Sequence, residues 1–254
     1  MNLDFSDDQK FLKEEARKFL EKENALARNR NVLENESHID EELWKKIVSL
    51  GWTGIRIPEE YGGLGLGHLE LCVIAEELGR FLAPVPFSSS VYLFTEALII
   101  YGSDEIKKEL LPQLISGDAI GTIAVTEEFF APSAENINVT CDDGKINGKK
   151  IAVPDAGIAT HVIVVAKSHK GVSLNIVDLA SEGVSVEHQE NIDESRGHFS
   201  ITFDNVDSQI LGDAISGWDL YETLINQAAV LFSYEQIGGS QACLLYTSPS
   251  PRDA

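Results

Sequence analysis

The residues whose types could do chemistry are few, and their spacing argues against most of them. Glu127 and Glu128 are adjacent carboxylates, the raw material of acid–base catalysis. Neighbouring residues of an extended segment point to opposite faces, so the pair reads as a solvated charge or a local hydrogen bond. His161, His188 and His198 have no metal-ligand spacing and read as structural or surface residues. Arg196, just before Gly197, reads as a structural ion-pair partner in preference to a substrate contact. Cys72 and Cys141 sit in different kinds of segment, which fits buried thiols in a reducing compartment. No residue up to Ala242 makes a convincing catalytic base, and no metal site is expected.

The elements that must position any site follow from periodicity. Ser6-Asp7-Asp8-Gln9 is a capping box, and Phe11, Leu12, Ala16, Phe19 and Leu20 then share one helical face. A second helix is expected from about Asp40, with Trp44 in its core face and Trp52 at its exit. The chain turns repeatedly between Ile55 and Gly67. Further helices are expected over about 69–81, 88–101 and from Ser103. After Gly121 the period shortens. Asp142-Asp143-Gly144-Lys145 is a hairpin turn, and Phe199, Ile201 and Phe203 alternate with polar residues as a half-buried strand should. Several short strands at close spacing predict a small barrel or sandwich. From about Gly217 the helical period returns in Leu220, Leu224, Ala228, Leu231 and Ile237.

Composition narrows the classes. Hydrophobic residues make up 43% and charged residues 24% of the 254, enough for a real core. A net charge of −21 argues against nucleic acid and anionic membranes as partners. The N-terminus has no basic or apolar leader, and no run reaches the length of a membrane span, so a soluble cytoplasmic protein is expected.

Five pieces in order carry a family resemblance. They are WKKIVSLGWTGIRIPEEYGGLGLG (44–67), YGSDEIKKELLPQLISGDAIG (101–121), Gly121 to Glu127, Ile146-Asn147-Gly148-Lys149-Lys150, and Phe203-Asp204-Asn205-Val206 with Leu211-Gly212. Together they resemble the acyl-CoA dehydrogenase family over residues 3–242. The resemblance implies an α+β fold: an all-helical N-terminal domain (1–119), a middle β-domain (120–213), and the first helix of a truncated C-terminal helical bundle (214–242). It implies FAD as cofactor and α,β-dehydrogenation of an acyl-CoA thioester, a glutamate taking the α-proton and the flavin a hydride. It also implies electron-transfer flavoprotein or a similar acceptor as partner, in a homo- or hetero-oligomer.

By the same resemblance Ile123, Ala124, Val125 and Thr126 line the flavin ring, and Ala152, Val153 and Pro154 pass its reactive edge. Ser133 would lie near the flavin pyrophosphate and the substrate's pantetheine. The chain departs from the family pattern in Glu128-Phe129-Phe130-Ala131-Pro132-Ser133, one residue longer than usual, and in Ala152-Val153-Pro154 where Trp-Ile-Thr is usual. Proline has neither hydroxyl nor N–H. A non-catalytic subunit of a heteromeric dehydrogenase is therefore a second reading, and a flavin-dependent oxidase or monooxygenase on the same fold a third.

The C-terminal residues read differently. Cys243 to Asp253 resemble, without a mismatch, one translated frame of a transposase sequencing adapter. An ordinary Ser-Pro linker is the plainer alternative. On the adapter reading 243–254 is a non-native tail, the chain is an incomplete fragment inactive alone, and its base belongs after Ala242. The helix from Gly217 would then fray and expose Leu220, Leu224 and Leu231.

Overall fold

The computed structural model describes residues 4–35, 37–128, 131–193 and 195–248. Phe129-Phe130 and the stretch from Pro249 to Asp253 lie outside the described residues.

Helix α1 (Asp7–Lys22) starts as its sequence dictates: the Ser6 hydroxyl accepts from Gln9 N, and the Gln9 side chain accepts from Ser6 N. An additional helix, α2 (Ala25–Glu34), follows within three residues. Its N-cap, Asn24, adopts a left-handed conformation (φ 52°) and gives no side-chain cap, so the usual start signal is missing. Helix α3 (Glu41–Ser49) is capped by Asp40, and α4 (His68–Arg80) is buried along most of its length. Trp44 and Trp52 both sit in the core.

The expected helix over 88–101 forms in two pieces. Ser88–Thr95 is wound as a π-helix and Glu96–Tyr101 continues as α5. The three serines and Thr95 are all buried. Such π-turns are uncommon and gather at functional sites. Helix α6 (Asp104–Ser116) then leads to the strands, capped by Ser103.

Among the described residues the eight strands are β1 (Gly121–Ala124), β2 (Thr140–Asp142), β3 (Lys145–Pro154), β4 (His161–Ser168), β5 (Gly171–Asp178), β6 (Val184–Gln189), β7 (His198–Asp207) and β8 (Gln209–Leu211). They form one mixed sheet in the order β6-β7-β3-β2-β4-β5-β8, with β1 parallel to β4. The sheet curls around its own apolar cluster, which includes Ala124, Val153, Val162, Val164, Ile201 and Phe203. Ile163 and Val165, the alternate residues of β4, face the helices instead. A strand buried on both faces reads as a continuous apolar run, and Val162–Ala166 is one.

Helix α7 (Gly217–Thr247) corrects the expectation of an exposed apolar face. Leu224, Ala228 and Leu231 are buried, and Leu220 is half-buried, because α7 lies along α4 and touches β5. The chain's own helix α4 covers the apolar face. Ile237 and Val230 remain exposed. The helix runs on through Cys243–Thr247, where Leu244 and Tyr246 are exposed. No described helix is long and apolar enough to cross a membrane.

Ion pairs fasten α1 to α4. Arg17 Nε and Nη2 donate to the two carboxylate oxygens of Glu77 at 3.0 and 2.7 Å, and Glu77 is fully buried. Removing the arginine would strand that carboxylate. Arg17→Met should therefore lower stability by about 1.5–3 kcal/mol, the range for hydrogen bonds to charged groups. Urea unfolding checks this, with the exposed pair Lys18–Glu15 as control: Lys18→Met should change little.

Candidate active site

The two strips expected to carry a cofactor come together. Beyond its pairing with β4, the chain at Thr126 meets β3: the Thr126 carbonyl accepts from Ile151 N at 2.8 Å. Thr122 Oγ1 donates to the Pro154 carbonyl at 2.6 Å. Ile123–Thr126 and Ala152–Pro154 are thus neighbours. Between Lys150 and Val153 the register with β7 shifts, and Ala152 takes a left-handed conformation (φ 51°). Such a bulge re-aims the side chains around it.

The side chains of Ile123, Ala124, Val125 and Val153 are buried in the two apolar clusters, so these residues can present backbone only. Thr126, Pro154 and Ala152 reach the surface in part or fully. Among the described residues, neither the hydroxyl nor the amide of Thr126 donates to a protein group. The Ala152 amide is taken by Gln189 Oε1 at 2.8 Å. Ser133 precedes a single 3-10 turn, Ala134–Asn136, without a side-chain cap bond, and is partly exposed. No hydrogen bond joins it to either strip among the described residues.

Sequence reasoning missed what fixes the first strip. Lys150 is fully buried, and its Nζ donates to the Val125 carbonyl at 3.0 Å and to Glu127 Oε1 at 2.6 Å. Glu127 also accepts from the amides of Asn138 and Val139. Glu127 is thus one half of a buried ion pair with bonds to distant residues, which corrects the expected solvated charge or local hydrogen bond. Burial, only partly offset by Glu127, pushes the Lys150 ammonium down to about 8. Burial alone would raise the Glu127 carboxyl, but bonds from Lys150, Val139 and Asn138 hold it below its ordinary value. The signal was strand alternation: of two consecutive lysines in β3, one must point inward.

The remaining candidates resolve as follows. Among the described residues Arg196 makes no ion pair with a carboxylate. Its guanidinium donates to Ser88 Oγ and to the Val85 carbonyl instead. The π-helical segment at Ser88 and the turn before it at Val85 supply the acceptors within reach. His188 stacks on His38 with centroids 4.5 Å apart, and burial followed by that neighbour pushes His38 down. His161 and His198 bond Thr160 and Asn191. Burial raises the Cys72 thiol to about 11, an inert thiol, while Cys141 is only half-buried. No group of three or more potential metal ligands occurs among the described residues.

Residues 6–118 match the family model described as acyl-CoA dehydrogenase, N-terminal domain. The chain belongs to the acyl-CoA dehydrogenase family. It is 28% identical over 260 residues to a mitochondrial isovaleryl-CoA dehydrogenase of Solanum tuberosum, covering 94% of this chain and 62% of the relative. A glutaryl-coenzyme A dehydrogenase structure in complex with glutaryl-CoA superposes with TM-score 0.87 and 25% identity, over 96% of this chain and 66% of the other. The butyryl-CoA dehydrogenase of Megasphaera elsdenii gives TM-score 0.87 at 22% identity, covering 96% and 68%, a likeness of fold. The chain spans less than two thirds of the potato relative. N-terminal helices, a mixed β-sheet domain and a C-terminal helix are the acyl-CoA dehydrogenase fold.

Proposed function

We propose that this chain supplies the helical and β-sheet walls of an FAD-dependent acyl-CoA dehydrogenase, which removes hydrogen from the α and β carbons of an acyl-CoA thioester. The observation that supports this most is the meeting of Ile123–Thr126 with Ala152–Pro154, with the Thr126 amide and hydroxyl both unspent among the described residues. Those two donors suit the carbonyl and nitrogen acceptors of a flavin edge. Bound FAD would supply the hydride acceptor. The chain's own part is to position: Lys150 holds the Val125 carbonyl, and Glu127 holds the segment that follows Ser133. Electron-transfer flavoprotein or a similar acceptor, and a homo- or hetero-oligomer, belong to the same proposal.

The other strip supports a second reading, a partner subunit without catalysis of its own. Pro154 has no N–H, its carbonyl is taken by Thr122, and the Ala152 amide is taken by Gln189. Glu127, the carboxylate that follows the first strip, is engaged by Lys150 and two amides, and Asp155, which follows the second, accepts from Ser89. We therefore propose that residues 1–254 alone hold FAD weakly and oxidise no acyl-CoA.

Titrating purified protein with FAD tests both statements. Thr126→Ala should weaken flavin binding by about 5–10-fold, the worth of one hydrogen bond of about 1 kcal/mol. Unchanged binding in that variant would show the flavin edge to be placed wrongly. Tight stoichiometric FAD, bleached by an acyl-CoA with no other chain present, would sink the claim of inactivity.

A further inference from the structure

A cleft of about 190 Å³ opens where α4 and α7 approach the π-helical segment and the turns that carry Asp155 and Arg196. Part of its wall is apolar, including Leu78, Val85 and Phe87; the rest is polar. Asp155 is 1% exposed. Its Oδ2 accepts from Ser89 Oγ at 2.5 Å, but its Oδ1 has no partner although it is buried. A buried acceptor left unmet is costly, and native structures rarely tolerate one without a reason.

Arg196 lines the same cleft. Its described bonds use two of five N–H donors, on Ser88 and Val85. Glu235, on α7, bonds the Tyr92 hydroxyl at 2.9 Å. Burial pushes the Glu235 carboxyl up, with Arg196 and the Tyr92 bond acting the other way. Among the described residues the polar wall therefore offers one unmet acceptor and several unspent donors, on groups of opposite charge.

We propose that this cleft binds an uncharged hydroxyl group carried on a small apolar body. A hydroxyl can donate to Asp155 Oδ1 and accept from Arg196 through the same oxygen. An ammonium would meet the guanidinium, and a carboxylate would meet Asp155 and Glu235; each is repelled by one wall. Ordered water satisfies the polar wall but gains nothing from the apolar one, and the cleft exceeds the space of a single water. The inference stands independently of the flavin reading, since none of these side chains belongs to the two strips.

The test uses the full chain with three six-membered-ring probes at pH 7: cyclohexanol, cyclohexylamine and cyclohexanecarboxylate. Saturation-transfer NMR and calorimetry should show weak, saturable binding of cyclohexanol at least about 10-fold tighter than of the two charged probes. Asp155→Ala should weaken cyclohexanol by about 10-fold or more, as expected for a hydrogen bond to a charged group. Arg196→Gln, at a partly exposed position, should weaken it several-fold and serves if the first variant does not fold. Equal binding of all three probes, no saturable binding of cyclohexanol, or binding indifferent to both substitutions would each overturn the proposal. In the second case, water alone fills the cleft.

Discussion

Replacing Glu127 with glutamine should cost about 3–5 kcal/mol of stability at pH 6, the usual penalty for removing one partner of a buried ion pair. The carboxylate receives three donors, from Lys150 and two backbone amides, and an amide side chain can replace it for only part of that set. Lys150 is fully buried, so the larger part of the loss is an ammonium left without a counter-charge.

That origin gives the effect a pH dependence with a definite sign. Lys150 in the folded protein loses its proton near pH 8, below its unfolded value of about 10.4. A depressed pKa means that stability rises with pH through that window and that the penalty is fully present below it. Removing Glu127 leaves the desolvation unopposed, so the folded value moves lower still and the penalty at pH 6 deepens. At pH 9 the lysine is largely neutral in both proteins, and the difference between them should shrink by at least half. Urea melts at the two pH values decide this; an equal loss at both would mean that charge burial is not the cause. Lys150→Met combined with Glu127→Leu removes both charges and should recover part of the stability, leaving the cost of the two orphaned amides and the Val125 carbonyl.

The contrast between what could and could not be read from the residues has a physical basis. Ser6 and Ser103 announced their helices because an N-cap is a local device, a hydroxyl three residues from the N–H it satisfies. The helix α2 was silent because its start carries no such cap. Strand positions were legible from alternation, whereas the two strips followed only from the family resemblance. Whether those strips bind flavin is a matter of unspent donors, which depends on Gln189 and Thr122 reaching across the sheet. Asp155 illustrates the same limit. Its partner Ser89 is 66 residues away, and an acceptor lacking a partner has no sequence signature at all. The partner of α7 was also non-local: period alone shows that a helix has an apolar face, not which surface covers it.

The seam that covers that face leads to the last expected result. Gly238→Ala should destabilise the protein by about 2 kcal/mol or more, whereas Gly239→Ala should be neutral or stabilising. Both residues lie in α7, where alanine is favoured over glycine by about 1 kcal/mol for backbone reasons. Only their surroundings differ. A Cβ at Gly238 would lie 1.9 Å from the Glu76 carbonyl oxygen and 2.9 Å from Arg80 N, backbone atoms of α4 that no rotamer change can move. A Cβ at Gly239 would meet only the Gly79 carbonyl, at 3.4 Å. The contact is reciprocal, since a Cβ at Gly79 would lie 2.1 Å from the Glu235 carbonyl oxygen. Overpacking typically costs about 1–3 kcal/mol, occasionally more, and a clash of backbone with backbone belongs at the upper end, so it outweighs the gain in helix propensity. The substitution must push α7 away from α4, exposing Leu224 and Leu231. Hydrogen exchange should then show faster opening of residues 217–242 in Gly238→Ala than in Gly239→Ala, with the strands protected alike in both. Equal stability of the two variants would show that the helices do not meet backbone to backbone, and that something other than close approach holds α7 in place.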